Sequence, residues 1–122
     1  MVAREGPLAA AVDRSRPSLP KRPRVSDVFA VAGMWESDEA VVHARDSALE
    51  GIVAGVSQLP GFVAGYWADS LDDPTRSHTF IVFAEREQAD AFAGRVRGNA
   101  EGQASVGIRA LSLEVVAVQA SA

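Results

Sequence analysis

The chain has 122 residues, 48% of them apolar, and a formal net charge of −4, which suffices for one domain with a core of its own. It contains no cysteine, which excludes disulfides, thiolate catalysis and Cys-ligated zinc or iron–sulfur clusters. The two histidines, His43 and His78, lack ligand spacing, so no metal is expected, and no apolar run approaches the roughly 20 residues of a membrane span.

Of the 12 basic and 16 acidic side chains, six and two fall within residues 1–24, leaving six and fourteen for residues 25–122. An acidic body repels polyphosphates, so no nucleic-acid partner is expected for it. Residues 1–24 carry Pro7, Pro17, Pro20 and Pro23 among Arg, Lys and Ser, which forbids a continuous helix and offers little to bury. They read as a flexible basic tail, either a plain extension or an arm for an acidic partner such as a neighbouring subunit. Leu8–Val12 is too short for a signal-peptide core and is closed by Asp13-Arg14, so a cytoplasmic protein is expected.

Residues 25–122 form the folded domain. Val25 to Trp35 is apolar on both alternating faces after Asp27 and reads as a first strand covered on each side. Ser37 or Asp38 is placed to cap a helix running to about Leu59, whose stripe is Val41, Ala44, Ala48, Ile52, Val56 and Leu59, widened by Leu49 and Val53. His43 falls on its polar face, and Gly51 and Gly55 are positioned for close packing on a sheet. Pro60-Gly61 ends the helix.

A second strand follows from Phe62 to Ser70, with Phe62, Ala64, Tyr66 and Ala68 on one face and Val63, Gly65 and Trp67 on the other. The turn residues of Leu71 to Arg76 are too few for a crossover, so the third strand, Ser77 to Ala84, pairs antiparallel with the second. Glu85, Glu87 and Asp90 open a second helix with a stripe of Ala89, Phe92, Ala93 and Val96, fraying at Gly98. Asn99 to Gly107 reads as a loop and Ile108 to Gln119 as the last strand.

The order β-α-β-β-α-β, with Trp35 to Ala40 echoed by Ala84 to Ala89, gives an α+β ferredoxin-like fold: a four-stranded antiparallel sheet with both helices on one face. The strands are apolar on the other face too, and a second copy of the chain is the simplest cover.

On Leu59-Pro60-Gly61-Phe62-Val63-Ala64-Gly65-Tyr66-Trp67, the helix start Phe83-Ala84-Glu85-Arg86-Glu87-Gln88-Ala89 and the apolar last strand, residues 25–120 resemble the dimeric α/β-barrel superfamily, in particular its antibiotic-biosynthesis-monooxygenase-like proteins. The resemblance implies two subunits paired sheet to sheet into a barrel. It leaves activity open, because the superfamily includes cofactor-free oxygenases, haem-degrading enzymes, isomerases and proteins of no known activity. Met34-Trp35-Glu36-Ser37-Asp38-Glu39-Ala40 resembles a segment of the haem-degrading members. Here, however, it opens the first helix rather than the second, where Ala84 stands in the tryptophan's place. Haem degradation is not expected.

If the barrel interior is a pocket, its polar groups come from Tyr66, Trp67, His78, Thr79, Arg109, Ser112 and Glu114. Tyr66 and Trp67 point to opposite faces, so one of them enters. His78, at the start of the third strand, is either a general base at the pocket rim or a rim histidine that simply hydrogen-bonds. Glu114, within an apolar strand, needs a partner if it points inward, and Arg109 is one candidate. No phosphate-cradling glycine motif or nucleophile elbow is present, and no cofactor is expected. Two functions remain: a homodimer binding a small apolar or aromatic molecule, as a cofactor-free monooxygenase with His78 as base and Trp67 as stacking wall, or a non-catalytic homodimer whose barrel is filled by its own side chains.

Overall fold

The computed structural model describes residues 28–122; the basic tail at 1–24 and the first residues of the expected first strand lie outside them. The described elements are β1 (Phe29–Ser37), a 3-10 turn (Glu39–Val41), α1 (Val42–Ser57), β2 (Phe62–Asp69), β3 (Arg76–Phe83), α2 (Arg86–Gly98), α3 (Ala100–Ser105) and β4 (Ile108–Ala117). The strands form one sheet in the order β2-β3-β1-β4, and every adjacent pair is antiparallel. This is the ferredoxin-like arrangement. Among the described residues, no helix is long and apolar enough to cross a membrane.

The core lies between the sheet and α2. Val31, Ile81 and Phe83 project from β1 and β3 onto Ala89 and Ala93, all five fully enclosed. The two alanines let α2 approach the sheet closely, and Phe92 closes the layer at 5.5 Å from the Phe83 ring. The helix begins in a capping box, in which Gln88 Oε1 accepts from the Glu85 amide at 3.1 Å. Gly61 is part of that joint. At φ +79° it turns the chain out of α1 where a side chain would collide with Gln88, and its carbonyl accepts from the Ala84 amide at 2.8 Å. The Pro-Gly junction thus ties the start of β2 to the start of α2.

Two bulges shift the expected faces. In β2 the register slips between Phe62 and Ala64, so Val63 is the extra residue and Phe62 joins Gly65 and Trp67 on the helix side, edge-on to Phe83 at 6.5 Å. In β4 the slip opposite Met34 and Trp35 leaves Leu111 out of register and exposed, while Leu113 and Val115 pack on the core.

The helical layer departs from expectation in four places. Ser37 ends β1 instead of capping a helix, and neither Ser37 nor Asp38 supplies a side-chain cap. The inward face of α1 is turned relative to the expected stripe: Ala44 and Ala48 are exposed, whereas Arg45, Leu49, Val53 and Val56 face in. Gly51 and Gly55 do not serve close packing, since a methyl on either would meet no atom within 4 Å among the described residues. The expected loop at 99–107 holds the six residues of α3; Ala100, Glu101, Gln103 and Ala104 are good helix formers and outweigh the roughly 1 kcal/mol cost of Gly102.

The β2–β3 connection closes on Asp73, whose carboxylate accepts from the Thr75 hydroxyl at 2.6 Å and the Thr75 amide at 3.0 Å. The Thr75 bonds, the hydroxyl's first, hold this carboxyl below its ordinary 3.8. A lowered carboxyl stabilises the fold above its unfolded value and loses that contribution as acid protonates it. Asp73→Asn should therefore be less stable than the parent at neutral pH, with the gap closing in thermal melts taken below pH 3.8.

Candidate functional site

The site grows from a repeated local pattern. Both β1 and β2 carry Gly-x-Trp, as Gly33-Met34-Trp35 and Gly65-Tyr66-Trp67. Residues two apart share a face of a strand, so each indole lies over its own glycine. A methyl added at Gly33 would stand 2.8 Å from Trp35 Nε1, and one at Gly65 would stand 2.8 Å from Trp67 Cη2. Thr79 of β3 pairs with Gly33 on one side and Trp67 on the other. Its hydroxyl accepts the Trp35 indole N–H at 3.1 Å, which fixes one ring and leaves the hydroxyl proton free to donate.

Over this floor lies a cavity of about 260 Å³, walled by Leu49, Ile52 and Val56 of α1, Phe92 and Val96 of α2, and Leu113 of β4. That is near the lower bound of the ~300–1,000 Å³ typical of ligand pockets. Both tryptophans of the chain line it. The lining is mostly apolar; besides His78, Thr79 and Gln103, its polar residues Ser37, Arg45, Asp46, Asp69 and Ser77 gather at one end.

Arg45 organises that end. Its guanidinium donates to Asp46 at 3.0 Å, to Asp69 at 3.3 Å, to the Ser37 hydroxyl at 3.3 Å and to the Pro74 carbonyl at 3.4 Å, with its side chain only 14% exposed. It joins α1 to the ends of β1 and β2 and to the connection before β3. The sequence reading missed it because an arginine scores as polar in a stripe search. The available signal was its spacing, four residues before Leu49 on the same helix face.

The strand register divides the expected site residues between the two faces of the sheet. Trp67 and Thr79 face the helices. Tyr66 lies opposite Phe80, and His78 lies between Ala68 and Met34, all on the open face. There Tyr66 (65% exposed), Phe80 (38%), Met34, His78, Ser112 and Glu114 surround a recess of about 350 Å³. The register thus sets His78 and Trp67 at opposite-face positions of the sheet, while His78 borders both recesses. Arg109 does not pair with Glu114: it holds Asp38 at 3.0 Å and Glu36 at 3.4 Å, and the Asp38 hydrogen bond raises its guanidinium above the ordinary range. His43 is exposed on α1. No three His, Asp or Glu side chains converge as a metal site among the described residues.

Sheet, helices and cavity together define an α+β subunit with an apolar, tryptophan-floored chamber, and solved structures share its fold. No protein-family model and no curated protein matches the sequence. SnoaB, a cofactor-independent oxygenase from Streptomyces nogalater, is similar at a TM-score of 0.60 and 13% identity, over 78% of this chain and 96% of that one. A protein of unknown function from Nitrosomonas europaea is similar at 0.59 and 18% identity, over 78% and 92%. A third structure, from the same organism and assigned to the antibiotic biosynthesis monooxygenases, gives 0.57 and 15%, over 72% and 88%. The chain has the ferredoxin-like subunit fold of the antibiotic-biosynthesis-monooxygenase-like proteins.

The glycine seats are directly testable. Gly33→Ala and Gly65→Ala should each lift an indole off the sheet, costing about 1–3 kcal/mol as overpacking does. Denaturant unfolding would measure the loss and tryptophan emission the displacement; unchanged emission in both variants would contradict the packing described.

Proposed function

We propose that the protein is a homodimer that binds a small apolar or aromatic molecule between its sheet and α1, and that it oxygenates that molecule without a cofactor. The observation that carries the reading is the chamber itself: two indoles on glycine seats, an aliphatic roof and a charged cluster at one end. Such a lining rewards a flat ring system through burial and stacking and orients it by the few polar groups at its end. The fold likeness to SnoaB supports the oxygenase part.

Without a cofactor the bound molecule supplies every electron. A methylene between two aryl rings gives a proton to a base, and its carbanion passes an electron to O2. The radical pair joins as a peroxide, and loss of water across its O–O bond leaves a carbonyl. One oxygen atom enters the product, the other leaves as water, and the two methylene hydrogens leave with that water. The dry chamber shelters the carbanion from bulk solvent. The carboxylates bordering the chamber are Asp46 and Asp69, while the His78 ring lies on the other face. We therefore assign the proton to the carboxylates at the Arg45 end rather than to His78, which borders the chamber from a position on the other face.

A second reading, a non-catalytic homodimer, is favoured by that same placement of His78, whose register position is on the face opposite to Trp67. An anthrone separates the two. Turnover would consume O2 at about one equivalent per anthrone, survive His78→Ala and fall by about 10²-fold or more in Asp69→Asn. Binding seen as quenched tryptophan emission, with no O2 consumed, would support the second reading. No quenching at saturating anthrone would remove the ligand.

Dimerisation draws its support from the open sheet face, where Tyr66, Phe80 and Met34 present apolar surface to solvent. Phe80→Asp should give a folded monomer by native mass spectrometry where the parent gives a dimer. A parent monomer would end the homodimer reading.

A further inference from the structure

We propose that α1 is the door of the chamber and that Arg45 is its latch. The inference rests on the reading of the chamber as a binding site and adds how that site opens.

Among the described residues, none on α1 is fully enclosed, in contrast to α2 with Ala89 and Ala93. The apolar side chains Leu49 and Ile52 of α1 wall the chamber instead of filling a core. A helix in that position gains less from packing than one seated on the sheet. Among the described residues, its N-terminal half is held by one polar side-chain tether, the Arg45 fork to Ser37, Asp69 and Pro74. Its C-terminal end is anchored by Val56 and Leu59, which pack on the core. Between tether and anchor stand Gly51 and Gly55, where an added methyl would meet nothing within 4 Å. Each weakens the helix with no packing requirement in return, which suits a segment that bends.

The parts form one device. The three Arg45 partners outside α1 lie on the strand ends and the β2–β3 connection that rim the polar end of the chamber, so releasing the fork frees residues 42–50 to swing about the glycines and uncovers both indoles. A guanidinium is suited to the latch because its planar fork bonds several oxygens at once; an ammonium is a point charge and spans fewer.

The test needs no ligand, because the chain's two tryptophans both lie inside. Acrylamide quenching of their emission reads the open population. Arg45→Ala should raise the quenching constant about twofold or more, with Arg45→Lys between it and the parent, while far-UV circular dichroism stays unchanged. Gly51→Ala with Gly55→Ala should lower it, an opposite sign that loss of stability does not produce. Arg86→Ala, which removes an exposed pair with Asp90 on α2, should leave it unmoved. Quenching that moves no more in Arg45→Ala than in Arg86→Ala overturns the latch, as does a glycine double variant that matches or exceeds the parent. Stopped-flow binding of 1-aminoanthracene then separates the two proposals. A dye that binds the parent with rates insensitive to Arg45→Ala sinks the door and leaves the site. A dye that never binds, alongside the expected quenching, keeps the door and sinks the site.

Discussion

Two absent side chains set the character of this protein. Wherever an indole is to lie flat on a β-sheet, the residue two positions earlier on the same face must yield its Cβ, and β1 and β2 both meet that condition with glycine. The resulting floor is aromatic, broad and low, with Thr79 wedged between the rings and holding one of them by its N–H. Glycine in a strand interior costs conformational entropy and weakens the strand, so two of them facing the same chamber are a sacrifice of stability concentrated at one place. Around them the helices cannot settle: α2, farther along the sheet, sits on Ile81 and Phe83 with two alanines, while α1 stands off over the tryptophans and leaves space.

That division explains what was legible in the sequence. The element order, the antiparallel β2–β3 pair and the stripe of α2 follow from periodicity and turn residues, because there the pattern and the packing agree. The faces of β2 and β4 were not legible at their bulges: one inserted residue inverts the alternation, so Phe62 changes face while Gly65 and Trp67 stay on the face opposite to Tyr66, and neither Val63 nor Leu111 differs in composition from its neighbours. The phase of α1 was misread because alanine counts as apolar in a stripe while burying little area. Leu49, Val53 and Val56 set the real orientation. Arg45 was invisible because an arginine scores as polar in such a stripe. The tail at 1–24 remains outside the described residues.

The candidate site shows the same limit from the chemical side. His78 and Trp67 attract notice as the types that catalyse and stack, and sequence places them eleven residues apart on neighbouring strands. Whether two such residues meet is decided by parity within the hairpin register. Trp67 pairs with Thr79, so His78 sits opposite Ala68 and faces away. A single slip would have put imidazole and indole on one face of the sheet. The fold likeness cannot repair this, because a shared backbone at 13–18% identity carries no side chains with it.

Charge acts on the chamber in one direction. Residues 25–122 hold fourteen acidic and six basic side chains, and the polar end of the chamber repeats that balance on a small scale, with Asp46 and Asp69 on one guanidinium. Arg45 is the cation nearest the cavity and is already engaged by both carboxylates. An anionic ligand would have to displace them, exchanging an existing ion pair for a new one at little gain in partly exposed surroundings. An uncharged ring system meets no such competition. The arrangement that ties α1 shut also opposes nucleotides and other polyanions at the mouth, so tether and charge filter are the same five side-chain and backbone groups.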